Sequence, residues 1–405
     1  FRACVGVQGV NCERHVRFHA KTVLAGNIAS GNPDLKGLNP DSRRLPIGSC
    51  GANLLETGLG GKTMRFGIFD HMDNDHLGMA DFMEERFRLL ELYDRHGFHS
   101  WHVAEHHATS LGMAPSPNVM LAAAAQRTKR LRFGPMVYAL PLYHPMRLAE
   151  EIAMIDQMSR GRLDIGFGRG SSPTEIAYFG IDPGETEAIY QRDLPRILTA
   201  LETGVMHNPG FEKPYDAPVL KVETYQKPYP PVWYGVHTTD SAERAATRGW
   251  ATINLDMDYE ARECNDVFRA VWAKEQAGRP LPLMGLGRFV VVAPTDEEAV
   301  EIATRAYPHW HAGFTHLFRK LGRMMNHPRP DTWAKLNAQG TGIAGSPQTV
   351  AAFLRDQLTT AQCNYCVAQI AFGNQTLVEM TRSIELFASG VMPALQDVCV
   401  DLVPG

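Results

Sequence analysis

Phe98-His99-Ser100-Trp101-His102-Val103-Ala104-Glu105-His106-His107 begins as a strand and ends in ionisable groups. Gly97 ends the helical pattern in front of it, and mostly aromatic and apolar residues carry the chain to Ala104. A carboxylate and two imidazoles then follow with no turn between. In barrels of parallel strands the carboxyl ends form the active face. Whether this stretch belongs to such a fold depends on its neighbours.

Upstream, Met64-Arg65-Phe66-Gly67-Ile68-Phe69 reads as a first buried strand. Between the two strands, Asp81 with Glu84 three residues on has the spacing of a capping box. Phe82, Met83, Phe87, Leu90 and Tyr93 give the helix it would open an apolar face. Downstream the alternation continues. Strands are expected over 131–138, 162–168, 232–235, 251–255, 286–293 and 365–372. Helices are expected over 118–128, 146–158, 185–203, 240–248, 260–277, 296–306, 347–359 and 376–389. Repeated β-α alternation predicts a parallel sheet covered by helices, and eight such units favour a closed (β/α)8 barrel over a doubly wound sheet. The segment 307–345, before the last strand, is a long insertion well beyond ordinary connection lengths. It carries Trp310, His311, Phe314, His316, Phe318 and Trp333, with part of it, near 315–325, helical. It reads either as an irregular insertion packed on the barrel or as a lid over the strand ends.

Composition removes several classes of function. The 405 residues are 44% hydrophobic and 21% charged, ordinary for a globular protein, and a length that one α/β barrel can use. The formal net charge of -4 and the lack of a basic run argue against a nucleic-acid partner. No apolar run is long enough for a membrane helix. Seven cysteines are too few and scattered for a disulfide framework, which points to the cytoplasm. The Cys363-x-x-Cys366 pair could be redox-active or half of a metal site, but it borders a buried strand and reads as core thiols. Residues 1–63 show no sustained periodicity. They are expected to be a poorly ordered extension or processing segment, with a small regulatory domain as the rival reading. A single barrel domain is expected over 64–395, followed by a tail over 396–405.

The unusual polar residues cluster at strand ends. Strand four runs into Gly168-Arg169-Gly170-Ser171-Ser172, and strand five into His237-Thr238-Thr239-Asp240-Ser241, which opens a helix. A helix start with hydroxyls and free N–H groups cradles a phosphate. An arginine beside glycines brings a fixed cation to a place the backbone can approach closely. Taken singly these signals stay ambiguous. Glu105-His106-His107 could be a metal cluster, a satisfied structural pair, or the home of one catalytic histidine. Gly168-Arg169-Gly170 could be only a tight turn, Thr238 and Ser241 only helix caps, and His144-Pro145 only a turn.

Four runs together resemble the bacterial luciferase family of flavin-dependent monooxygenases, in particular its α subunit. They are Trp101-His102-Val103-Ala104-Glu105-His106-His107, Leu140-Pro141-Leu142-Tyr143-His144-Pro145-Met146-Arg147, Asp156-Gln157-Met158-Ser159-Arg160-Gly161-Arg162, and Phe387-Ala388-Ser389-Gly390-Val391-Met392-Pro393. The similarity covers about 64–395. It implies reduced FMN, supplied by a separate flavin reductase and used with O2 to oxygenate a small organic substrate, possible examples including aldehydes, through a flavin hydroperoxide. It implies His106 as the catalytic histidine and Glu105 on the flavin site. Met136-Val137 match the place where the family carries a non-proline cis peptide under the flavin ring. Gly168 stands where the α subunit has a cysteine beside the flavin, and His237 where it has a glutamate, which leaves light emission in doubt. Arg169, Thr238 and Ser241 match phosphate-site positions, with Arg192 a looser match. His107, Phe69 and Trp233 are expected in the substrate pocket. No metal is expected, and a homo- or heterodimer is. Two other readings stand beside this one: a deazaflavin-dependent hydride transferase, and a non-catalytic flavin-binding homologue.

Overall fold

The computed structural model describes residues 64–398 except 171, 214, 323, 324, 326 and 327. The expectations for 1–63, and for the tail beyond 398, lie outside the described residues. The elements run β1 (Arg65–Asp70), α1 (Met79–Arg95), β2 (Ser100–Val103), α2 (Pro117–Arg127), β3 (Arg132–Pro135), β4 (Tyr138–Ala139), α3 (Pro145–Ser159), β5 (Ile165–Gly168), α4 (Pro173–Tyr178), α5 (Thr186–Thr203), β6 (Val232–Gly235), α6 (Thr239–Arg248), β7 (Ala251–Asn254) and α7 (Asp258–Glu275). They continue with β8 (Met284–Val292), α8 (Asp296–Lys320), α9 (Trp333–Ala338), β9 (Gly342–Gly345), α10 (Pro347–Ala361), β10 (Tyr365–Gln369) and α11 (Leu377–Leu386). A π-helical turn, Phe387–Val391, and a last short helix, α12 (Met392–Ala394), follow.

Every strand pairing is parallel, in the order β3-β2-β1-β10-β8-β7-β6-β5-β4. β3 and β4 are one expected strand, 131–138, interrupted at Met136-Val137, whose peptide bond is cis. The ring closes where Phe133 bridges Leu163 and the Asp164 N–H donates to Phe133 O at 2.8 Å. Gly134 permits this approach, because a Cβ there would lie 2.2 Å from Asp164 O. The eight expected strands are all present, with β3 and β4 counted as one, and form a (β/α)8 barrel. β8 and β10 are buried along their whole lengths, as parallel strands with both faces covered must be. The interior is plugged by Phe69, Ala104, Trp233, Ile253, Tyr365 and Val367. Cys363 and Cys366 are buried free thiols, pushed up to about 11 and about 12 by burial, which keeps both protonated.

Two local expectations need correction. α1 starts at Met79 behind Gly78, so Asp81 lies in the first turn and makes no cap bond. A carboxylate there still favours the positive end of the helix. The insertion at 307–345 is largely regular structure. α8 runs through Pro308 to Lys320, α9 follows, and β9 adds a strand to β8 outside the ring. Pro308 and the bulky residues after it broke the pattern in the sequence. Tyr307, Trp310 and Leu317 are buried on the barrel side of α8 and maintain the helix through packing.

Candidate active site

A cavity of about 590 Å³ opens at the carboxyl ends of the strands, a size usual for cofactor and ligand sites. Of the residues singled out from sequence, Phe69, Glu105, His106, Met136, Val137, Gly168, Arg169 and His237 line it. Others lie elsewhere. Trp233, expected in the substrate pocket, is 3% exposed inside the barrel and packs edge-on against His102 and near Tyr365. Its position on β6 turns it inward, below the cavity. His107 also stands off the wall: its ring meets Phe179, and its Nε2 lies 3.0 Å from Glu105 Oε1. Arg192 is bound to its neighbour Asp193 and does not line the cavity.

The end of β2 sorts its two histidines between two carboxylates. Glu105 takes His107 on one oxygen and the Ala139 N–H, at 2.9 Å, on the other, which ties the end of β2 to β4, past the cis bond of the neighbouring strand. Burial, reinforced by the nearby Glu105, holds the Tyr143 hydroxyl far above its usual range. His106 instead pairs with Glu175, Nδ1 to Oε1 at 3.2 Å, and the His107 N–H donates to Glu175 Oε2 at 3.0 Å. Both His106 and Glu175 line the cavity, and Glu175 is 8% exposed. Glu175 was missed from sequence, although a signal was there. Ser172-Pro173-Thr174-Glu175 has capping-box spacing directly after a strand, and Ser172 Oγ does accept the Glu175 N–H. The Glu175 carboxylate is turned to His106 and His107.

A second group forms at the ends of β5 and β6. Arg169, 60% exposed, donates to Glu187 at 2.7 Å. Thr238 and Ser241 form a reciprocal capping box at the start of α6, and Ser241 Oγ also accepts from the His237 N–H. Neither side chain lines the cavity. Within the first turn of α6 the Ser241 N–H is taken by the Thr238 side chain, and the Thr239 and Asp240 N–H groups have no acceptor one turn back in the helix. His237 Nδ1 lies 2.7 Å from Asp256 Oδ2.

Further residues complete the wall, some without a sequence signal and some from the segment that the sequence offered as a lid. His71, just past β1, sits between Phe69 and Trp310 and stacks over His106 at 6.0 Å. Burial, then the charges of His106 and Arg329, hold its imidazole well below the usual range, so it is neutral. Gln369 ends β10, and its Oε1 is buried with no partner among the described residues. From α8 come Trp310, Phe314 and Phe318. Trp310 is 1% exposed and stacks on Tyr307 and Phe314, so this wall is packed helix.

Residues 64–362 match the family of luciferase-like monooxygenases. The chain belongs to that family. An uncharacterized protein of Sinorhizobium fredii is 36% identical over 315 residues, 78% of this chain and 92% of the relative. The oxygenase component of a flavin-dependent trigonelline monooxygenase from Acinetobacter baylyi is 33% identical over 246 residues, 58% of this chain and 67% of the relative. Among solved structures, the oxygenating constituent of 3,6-diketocamphane monooxygenase from Pseudomonas putida, in complex with FMN, shares the fold. Its TM-score is 0.67, with 18% identity over 82% of this chain and 98% of that one. As a family member the chain is an oxidoreductase of the monooxygenase type. The runs around Asp156 and His144 that also mark the family serve the scaffold here. Asp156 accepts from Gln226, Arg162 donates to Ala125 O and Leu131 O, and His144 precedes Pro145 at the start of α3.

Proposed function

We propose that the chain binds reduced FMN in this cavity and uses it with O2 to oxygenate a small organic substrate, with His106 moving the proton. The observation that carries this reading is the pairing of His106 with the buried Glu175 on the cavity wall. The residues present fit a flavin. The wall offers apolar surface for a flat ring, and Gln369 Oε1 is an acceptor still without a donor. Gly235 leaves room, since a Cβ there would meet nothing within 4 Å. Arg169 and the first turn of α6 would hold the phosphate. When bound, the reduced flavin supplies the electrons that activate O2.

The chain's own part is positioning, dryness and proton control. Phe69, Phe167, Phe289 and Trp310 exclude water from the reacting centre. With Nδ1–H donated to Glu175, His106 presents Nε2 to take or return a proton. A separate flavin reductase supplies the reduced cofactor, a division suggested by the trigonelline relative's description as an oxygenase component.

Anaerobic titration with reduced FMN, reduced riboflavin and a reduced deazaflavin, followed by air, tests the assignment. Reduced FMN should bind tightest, and oxygenated product should appear only after air is admitted. Tightest binding of the deazaflavin, with turnover in the absence of O2, would replace the proposal with hydride transfer. Binding without any turnover would leave a flavin-holding homologue.

A further inference from the structure

Arg329 lines the cavity and has no task in the reading above. It is held firmly. Its carbonyl lies 3.2 Å from His311 Nε2, and the carbonyl of Pro330 accepts from the Tyr307 hydroxyl at 2.7 Å. One guanidinium nitrogen donates to Leu255 O, just past β7, at 3.1 Å. The carboxylates and the other guanidinium on the wall are matched: Glu105 with His107, Glu175 with His106, Arg169 with Glu187; His237 pairs with Asp256. Arg329 makes no ion pair among the described residues, and most of its donors remain to be used.

The surroundings add donors. His71, which feels the Arg329 charge, packs edge-on against Trp310 at 5.3 Å. The Trp310 indole N–H is buried without an acceptor among the described residues. A half-buried cation and an unsatisfied donor on the wall of one cavity, which Phe289 and Phe314 also line, are costly when left unmatched. A carboxylate answers it, because its two oxygens fit the guanidinium fork.

We propose that the substrate carries a carboxylate that seats on Arg329 and an apolar body that lies along the Trp310–Phe314 wall. This rests on the reading of the cavity as a shared site for flavin and substrate. The phosphate of the cofactor is the competing anion. Arg329 is anchored at the end of β7 and Arg169 follows β5, and the test must tell their roles apart.

The full chain, saturated with FMN, would be titrated calorimetrically with benzoate, 2-naphthoate and decanoate, each against its own neutral amide. At least one acid should bind about tenfold or more tighter than its amide, the scale of a charge-assisted hydrogen bond. Arg329→Gln should abolish the preference, and Arg329→Lys should keep part of it. Melting temperatures check that both variants fold. The ratio of FMN to riboflavin affinity should be the same in all three proteins. The proposal is overturned if no acid binds tighter than its amide, or if Arg329→Gln retains the preference. It is also overturned if that substitution collapses the FMN-to-riboflavin ratio, which would give the guanidinium to the phosphate. Failure of FMN to bind the native chain is a separate result, and the acid–amide comparison on the cofactor-free chain then decides for Arg329.

Discussion

The end of β2 and the ends of β5 and β6 carry similar groups and treat them in opposite ways. At β2, His106 and Glu175 are 14% and 10% exposed in their side chains, and every carboxylate oxygen has a partner. At β5, Arg169 and Glu187 are 60% and 53% exposed. A buried pair keeps one geometry, since breaking it strands a charge away from water. An exposed pair is worth little and exchanges readily for a better anion. The first suits a proton transfer that must be aligned, the second a phosphate that arrives with its own charge.

The largest effect expected from this contrast is at His106. His106→Ala should lower turnover about 10²–10⁴-fold, the usual worth of a general acid or base, with flavin affinity changed much less. Steady-state rates beside a flavin titration would show it, and full turnover in the variant would remove the role. Glu175→Gln tests the buried pairing. It should lower kcat by a smaller factor and alter the pH profile of kcat, because the amide still hydrogen-bonds the ring but cannot stabilise its cationic form. An unchanged profile would make Glu175 purely structural.

At the other region, Arg169→Ala should weaken FMN by about tenfold, toward the low end for a bond to a charged group, given its exposure. Riboflavin affinity should stay the same. Equal losses for both flavins would break the phosphate assignment and the comparison with it.

The smallest effect lies below the cavity, on β2 itself. Burial, above all, pushes His102 down to about 4 from an ordinary 6.5. Below about pH 6.5 the unfolded chain takes up a proton that the folded chain refuses, so stability falls as pH drops toward 4. His99, also at about 4, adds to the loss. The melting temperature should be lower at pH 5 than at pH 7.5, and less so in His102→Gln. A slope unaltered by that substitution would show that His102 does not contribute.

The sequence by itself determined the barrel. Strand and helix periods are local, and eight successive alternations leave few ways to bury the apolar faces. It also placed Glu105, His106, Arg169 and His237 on one face, because a strand's carboxyl end follows from chain direction. It could not say that His106 would meet Glu175 while His107 met Glu105, since those choices depend on side-chain direction once α4 has docked. Nor could it send Trp233 below the cavity, carry α8 past Pro308, or bring Arg329 to the wall across more than 70 residues from Leu255. These follow from packing around the closed ring, where each group's partner is chosen by what the neighbouring elements leave exposed or unsatisfied.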